Sequence, residues 1–493
     1  MIMNIPEYSG GVRSPEIYNA GVGLADTRVI DGDPDFVPCF HDGEKMSEPE
    51  FRAKLTELDK DGWNYSFQYG LGGTTSIKIV RDRRTIDITY LNGSVSVRFA
   101  DAYLPSPQPA VIQTTYTGTN PDEYTAHIEK MKAAGFDRVF SNRVEGNLFD
   151  EFQTEDGLLR YSYTNGTVRV SEDRVSLPVS AVSDDAPEGK TIVYQYGLHH
   201  TQNRGGFTMD CGMCYAAKLP DGSVFMIDGG YFSQCSMDAV NGLMELLHRL
   251  GGEKIRLTWF CTHAHDDHID MFSKILRLYH DEIELQRVLF NFPDDTVCGS
   301  DAGVFTMINR VRKYYPNVKY RKIRAGDKLN IGGCPIDVLL THEMATGAVG
   351  NEPIGWMNDT STVIKLHLDP AVTNGDADFM VLGDMDNSAE AVLLSMYSEK
   401  TLHSGMVQAA HHLFNLLKNV YRVIGADIAV VPQSEKQKTN HDKPKYLNLL
   451  QWIPSGSFYF SDSGTDGFEV KNGRIAHIFH EERKGGVHDG SPL

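Results

Sequence analysis

The 493-residue sequence predicts a layered α/β domain preceded by a duplicated small α+β module. Two observations carry that expectation. From about residue 190 onward, short apolar segments alternate with amphipathic ones across polar connectors, the pattern of strands and helices stacked in layers. Ahead of it, residues 51–105 lie without gaps over residues 124–178 at an offset of 73, with Gly62/Gly135, Gly73/Gly146, Tyr90/Tyr163, Asn92/Asn165, Gly93/Gly166, Val95/Val168 and Pro105/Pro178 identical.

Residues 1–50 are rich in Gly, Pro and Asp with weak periodicity, and read as an irregular N-terminal arm. In the first copy, 51–105, Phe51, Leu55 and Leu58 recur at helical spacing and Gly62 ends the helix; Ile128, Met131 and Gly135 repeat this in the second, 124–178. Alternating segments flank Asn92-Gly93 and again Asn165-Gly166, a strong hairpin signal. Residues 106–109 separate the copies, and 183–189 form a polar linker. No ligand-type spacing occurs in this module, so it reads as an accessory, docking or oligomerisation unit through which a homo-oligomer would form, with substrate recognition as the alternative. The last domain, 190–484, is expected to place strands at 193–197, 215–219, 224–227 and 255–261, with helices at 239–250 and 271–279. Further strands are expected at 334–340, 361–367, 379–382, 406–409 and 428–431.

Lys and Arg total 47 against 66 Asp and Glu, a net charge of −19, which opposes binding to a long polyanion or an anionic membrane unless a local patch or bound metal reverses the field. Nucleic acid is therefore a disfavoured partner and a small molecule the expected one. No run approaches the ~18–20 apolar residues of a membrane span. Residues 1–11 lack a basic n-region and apolar core, so the expected location is cytoplasmic. Seven cysteines, an odd number thinly spread, argue against a disulfide framework, and Cys211-Gly-Met-Cys214 has no second pair to complete a zinc site.

Chemistry concentrates in Thr262-His263-Ala-His265-Asp266-Asp267-His268, directly after the apolar strand ending at Cys261. Three imidazoles and a carboxylate on one strand-to-helix loop can turn toward one point and hold borderline cations. His263 and His265 alternate on an extended segment and share a face, while Asp267 and His268 sit at the helix start and can serve a second ion.

This H-x-H-x-D-H string resembles that of the metallo-β-lactamase-fold hydrolase superfamily, and the resemblance covers roughly 190–480. It implies an αββα sandwich, two divalent metal ions (zinc first, manganese second) and hydrolysis by metal-activated water. Asp228, ending an apolar strand, looks like the carboxylate that packs behind the metal loop, and Asp384, after Phe379-Met-Val-Leu-Gly383, like the bridging ligand. His411-His412 looks like the late His that closes the second site, with His411 the preferred ligand and His412 a supporting or substrate-facing group. The strings around Asp228, Asn358-Asp-Thr-Ser361, His411-His412 and Thr465-Asp466-Gly are similar to the soluble hydrolase domain of ComEC-type DNA-uptake proteins, and phosphorylcholine esterases of this fold are a related comparison. Asp270 stands where the superfamily usually carries Gly, and Leu413 where the ComEC-type domain carries Gly.

The resemblance also implies a His between the H-x-H-x-D-H loop and Asp384 in a G-H-T context, where this chain reads Gly355-Trp-Met-Asn358-Asp359. The third ligand of the first ion is then either missing or replaced by Asn358 or Asp359, with His342 as a further substitute. Asp267 would ligate one ion and orient the nucleophile, and His412, His441 and Tyr231 are the candidates for the leaving-group acid. A phosphodiester or phosphate ester is the expected substrate. A carboxylic ester, thioester or lactam is the enzymatic alternative, and a binding protein with a degenerate metal site the non-enzymatic one.

Overall fold

The computed structural model describes residues 5–21, 44–60, 64–69, 75–81, 84–91, 93–101, 111–197, 202–204, 207–209, 212–230, 237–293, 304–345, 357–414, 417, 419–435, 449–453, 457–462 and 464–482. Strand β1 (Val12–Gly21) is followed by helix α1 (Glu48–Lys60) and the antiparallel strands β2 (Asn64–Tyr69), β3 (Thr75–Arg81), β4 (Arg84–Leu91) and β5 (Ser94–Asp101). Strand β6 (Val111–Thr117) and helix α2 (Pro121–Ala133) then lead into β7 (Asp137–Val144), β8 (Asn147–Thr154), β9 (Gly157–Thr164) and β10 (Thr167–Asp173). The two units share small contacts at the offset the sequence shows: Met46 N–H donates to Gly93 O as Thr119 N–H does to Gly166 O, both at 2.9 Å, and Phe51 meets Tyr90 as Tyr124 meets Tyr163.

Residues 12–21, expected in an irregular arm, form β1, the edge of a six-stranded sheet ordered β1-β6-β10-β9-β8-β7. Pro15 obscured the strand pattern, and its position on an edge with a register slip between Arg13 and Ile17 is where a sheet tolerates proline.

The C-terminal domain is an αββα sandwich. Its first sheet uses β11 (Ile192–Gln195), β14 (Cys214–Lys218), β15 (Val224–Asp228), β16 (Ile255–Phe260), β17 (Ile283–Phe290), β18 (Lys319–Lys322), β26 (Gly464–Lys471) and β27 (Arg474–Glu482), in the order β18-β17-β16-β15-β14-β11-β26-β27. The second runs β19 (Lys328–Ile331), β20 (Cys334–Leu340), β21 (Val363–His367), β22 (Asp378–Val381), β23 (Met406–Gln408), β24 (Ile428–Val431) and β25 (Phe458–Phe460). A two-stranded ribbon, β12 (Gln202–Arg204) with β13 (Phe207–Met209), stands apart.

Strand alternation explains the layers. Tyr215, Phe225, Ile227 and Phe260 point inward and meet Ile336, Ile364, Phe379 and Val381 of the opposite sheet. Their neighbours Ala216, Met226, Leu257 and Trp259 point outward against helices α3 (Met237–Gly251), α4 (Asp266–Leu278) and α5 (Val304–Tyr314). On the far side Val363, Met380 and Val407 are covered by α6 (Asn387–Met396). Among the described residues no helix is long and apolar enough to cross a membrane.

The second α+β unit is seated on the sandwich through buried charge. Arg321 of β18 reaches Glu151 of β8 and Asp327, each at 2.8 Å, and the Leu177 carbonyl at 2.7 Å. Arg160 joins Glu151 at 3.0 Å and donates to the Lys322 carbonyl at 2.7 Å. Gly326, at φ +90, lies flat on the Phe149 ring, where a Cβ would sit 2.3 Å from the ring.

His367 on β21 is held between Asp378 at 2.9 Å and Asp337 at 3.3 Å. Burial alone would depress its pKa, but hydrogen bonds to Asp337 and Asp378 outweigh it and lift the imidazole to about 9. Because the folded value lies above the unfolded one, this contribution is complete below pH ~6.5 and is lost as pH rises through about 9. A stability difference between the parent and His367→Gln should shrink by up to about 3 kcal/mol between pH 6 and 10 in urea titrations. A pH-independent difference would show that the imidazole is not charged in the folded state.

Candidate metal centre

Loops that follow buried strands meet at one end of the sandwich. After β16, residues 261–265 cross to α4, which starts earlier than the apolar spacing predicts and so carries Asp267 and His268 in its first turn, where carboxylates suit the helix dipole. His263 and His265 turn together, with Nε2 of the first 2.9 Å from Nδ1 of the second. After β22, Gly383 adopts φ +58 and delivers Asp384; a Cβ at Gly383 would sit 2.9 Å from Ser361 and 3.1 Å from Thr262. The Asp384 backbone N–H donates to Ser361 Oγ at 2.9 Å. Gln408, ending β23, accepts from Leu382 N–H at 2.8 Å and donates to Gly383 O at 3.0 Å, tying this loop to the next.

Two donor groups result, each with ligand atoms within 4.8 Å of one another: Asp267, His268, Asp384 and His412, and His263, His265 and Asp384. Asp384 belongs to both. His268 Nε2 lies 3.2 Å from Asp384 Oδ1 and 3.2 Å from His412 Nε2. His412 Nε2 lies 3.1 Å from Asp267 Oδ2 and 3.4 Å from Asp384 Oδ2.

The electrostatics suit a cation. Burial, then the neighbouring His268, drives His263 well below the ordinary imidazole range, and burial also depresses His265, so both present lone pairs at neutral pH. Burial opposes ionisation of Asp384, but His268, His412 and His411 overcome it and hold the carboxyl well below its usual range. In His268 and His412 burial is outweighed by Asp384 and its fellow carboxylates, raising His268 well above normal and His412 to about 9. A bound cation would take the place of those protons.

Asp228 stands behind the cluster: its carboxylate is 2.6 Å from His268 Nδ1 and accepts from Thr262 N–H and Oγ1–H, both at 2.7 Å. An imidazole ligand held in this way has its ring and tautomer fixed. Asp228→Asn is expected to weaken metal affinity about 10- to 100-fold with the fold retained, read by competition with a chelator. Unchanged affinity would remove Asp228 from the site.

The geometry separates His412, which lies in a donor group, from His411, the preferred ligand in the sequence, which lies in neither. His411, His412 and Leu413 all adopt positive φ, 49°, 48° and 70°, so the chain leaves β23 in a tight left-handed turn instead of continuing as a strand. That turn buries His412 among the donors, with Nδ1 2.9 Å from the Pro432 carbonyl, and leaves His411 at the rim with its side chain 23% exposed and Nε2 3.9 Å from Asp384. His342, a candidate third ligand in the sequence, lies in neither donor group. It lies two residues beyond β20 in a separate buried polar set, 3.1 Å from Asn291 and 3.8 Å from Glu343, and burial lowers it to about 3. Asn358 is buried with its amide 3.1 Å from His411 Nε2, and its Oδ1 has no hydrogen-bond partner among the described residues. Asp359 belongs to neither group, and burial raises its carboxyl. Tyr231 and His441 lie outside the described residues, as does Cys211; Cys214 is buried in the apolar core.

Sequence reasoning gave no role to Thr262, Ser361 or Gln408. Each is a buried polar residue, Thr262 just beyond β16, Gln408 at the end of β23 and Ser361 just ahead of β21, and a buried polar group requires a partner.

No protein-family model matches the chain, and no curated protein matches it. Among solved structures the chain is similar to a B3 metallo-β-lactamase with an active-site glutamic acid, at 13% identity and TM-score 0.26, over 55% of this chain and 91% of that one. It is similar to zinc-bound PqqB from Methylobacterium extorquens at 8% identity and TM-score 0.27, over 44% and 71%. A flavo di-iron protein from Thermotoga maritima aligns at 12% identity and TM-score 0.25, over 63% of this chain and 62% of its own length.

Proposed function

We propose that this chain is a metal-dependent hydrolase of the metallo-β-lactamase-fold superfamily, holding two divalent ions, zinc first and manganese second, and cleaving a small phosphodiester or phosphate ester. The observation that carries the reading is the sharing of Asp384 by both donor groups, the arrangement a two-ion centre needs. The donors fit: carboxylate and imidazole ligands suit a borderline cation, four on one side and three on the other. Such an ion pair, when bound, supplies an activated water and stabilises charge developing on the attacked centre.

The chain's own residues do the rest. Asp228 and Thr262 fix His268, Ser361 and Gln408 fix the Asp384 loop, and Asp267, 19% exposed, is the carboxylate turned toward the opening. His411, at the rim beside the Asn358 amide, takes the substrate-facing role expected of His412. The choice of phosphoester rests on the motif strings shared with ComEC-type and phosphorylcholine-esterase domains, and the −19 net charge favours a small substrate over a polymer. A cytoplasmic location and self-association through the N-terminal module belong to the same proposal.

One observation favours a second reading: the group around His263 and His265 has three donors and no third imidazole, which suits a binding protein with an incomplete site. Metal content of protein purified without added metal, read with a chromogenic phosphodiester and a chromogenic carboxylic ester, decides. About two ions and phosphodiester turnover that His263→Ala abolishes support the proposal. Preference for the carboxylic ester moves the substrate to esters, thioesters or lactams. At most one ion, with no turnover after zinc or manganese is supplied, leaves binding as the function.

A further inference from the structure

A second cluster of metal-ligating side chains stands apart from the centre. Asp466 of β26 and His477 and His480 of β27 bring three ligand atoms within 4.8 Å of one another. Asp466 Oδ1 is 2.7 Å from His477 Nε2 and 2.8 Å from His480 Nδ1. The other oxygen, Oδ2, is buried and has no hydrogen-bond partner among the described residues, and the Asp466 side chain is only 2% exposed. A carboxylate oxygen left so is costly unless something satisfies it.

The backbone is shaped for this convergence. Residues three apart on a regular strand face opposite sides of the sheet, so His477 and His480 would diverge. Here β27 is bulged: Gly467 pairs with Phe479 and Phe468 pairs with His477, which leaves Ile478 as the extra residue. His480 lies opposite Asp466 and His477 opposite Phe468, so both imidazoles share the face of the carboxylate. The Tyr459 ring stacks on His477 at 4.6 Å and 29°, fixing its plane.

We propose that Asp466, His477 and His480 form a separate binding site for one borderline divalent cation. Two imidazoles and a carboxylate suit zinc and its first-row neighbours, and partial exposure of both rings, 29% and 37%, leaves coordination positions for water. The site does not share ligands with the first centre: β26 lies three strands from β15, roughly 14 Å at ~4.8 Å per strand. A cation there joins the last strand of the sheet to its neighbour. The inference is independent of the proposed hydrolysis.

The test is a zinc titration of the full chain, stripped with a chelator and read against a chromogenic zinc indicator. The parent should bind one zinc more per chain than His477→Gln/His480→Gln, which replaces two partly exposed rings with side chains whose amides can still donate to Asp466. Asp384→Asn, which disables the first centre, should still take up one zinc, and adding the double substitution to it should remove that zinc. Equal zinc counts in the parent and the double variant overturn the site, as does an Asp384→Asn chain that binds none.

Discussion

Asp384→Asn should lower turnover by about 1000-fold or more and release metal from both donor groups at once. A metal centre of this kind supplies several kcal/mol of transition-state stabilisation, and ~4 kcal/mol is about three factors of ten. The amide that replaces the carboxylate keeps the shape and can still accept one contact, yet it removes the charge that faces His268, His412, His263 and His411 together. A parallel His265→Ala variant, missing a donor of one group only, should lose one ion and keep the other. Metal analysis with single-turnover kinetics checks both. If Asp384→Asn keeps two ions and full turnover, the two groups do not form one centre.

The largest loss of stability is expected at Arg321→Met. Its guanidinium is fully buried, and burial, which would lower its pKa, is outweighed by Asp327 and Glu151, which hold it charged. Removing one partner from such a set leaves buried carboxylates uncompensated, a loss of about 3–5 kcal/mol. Arg160, 3.0 Å from Glu151, relieves part of that on one side, but Asp327 has Arg321 as its close cation. Urea denaturation should show the midpoint falling, with the N-terminal module becoming sensitive to protease at lower denaturant than the sandwich. A change below about 1 kcal/mol would mean that water replaces the guanidinium and that the pair is not a structural requirement.

What could be read in the sequence was whatever is local. His263, His265, Asp267 and His268 sit in one six-residue string behind an apolar strand, and Asp384 ends another such strand, so order and composition sufficed. The strands expected at 334–340 and 428–431 match β20 and β24, because fully buried strands read as unbroken apolar runs. The failures share a different cause. Choosing between His411 and His412 depended on the sign of φ at three successive residues, which no side-chain pattern announces. His342 followed a suitable strand, but the second α+β unit packs over it, with Gln113 and Arg169 donating to the carbonyls of Glu343 and Met344. The convergence of His477 and His480 depends on a single extra residue in β27, invisible to strict alternation.

The left-handed turn at His411, His412 and Leu413 has a consequence for the order of opening. A non-glycine residue in that region costs about 1–3 kcal/mol, and three in succession make this turn locally unfavourable by itself. It persists because the sandwich is already assembled around it: His411 N–H donates to Gly383 O, and His412 is held by the Pro432 carbonyl beyond β24. The turn is therefore expected to open before β22, β23 and β24 behind it. Without a cation its amides should exchange with deuterated solvent ahead of those strands, and ligand binding would act as the final folding step.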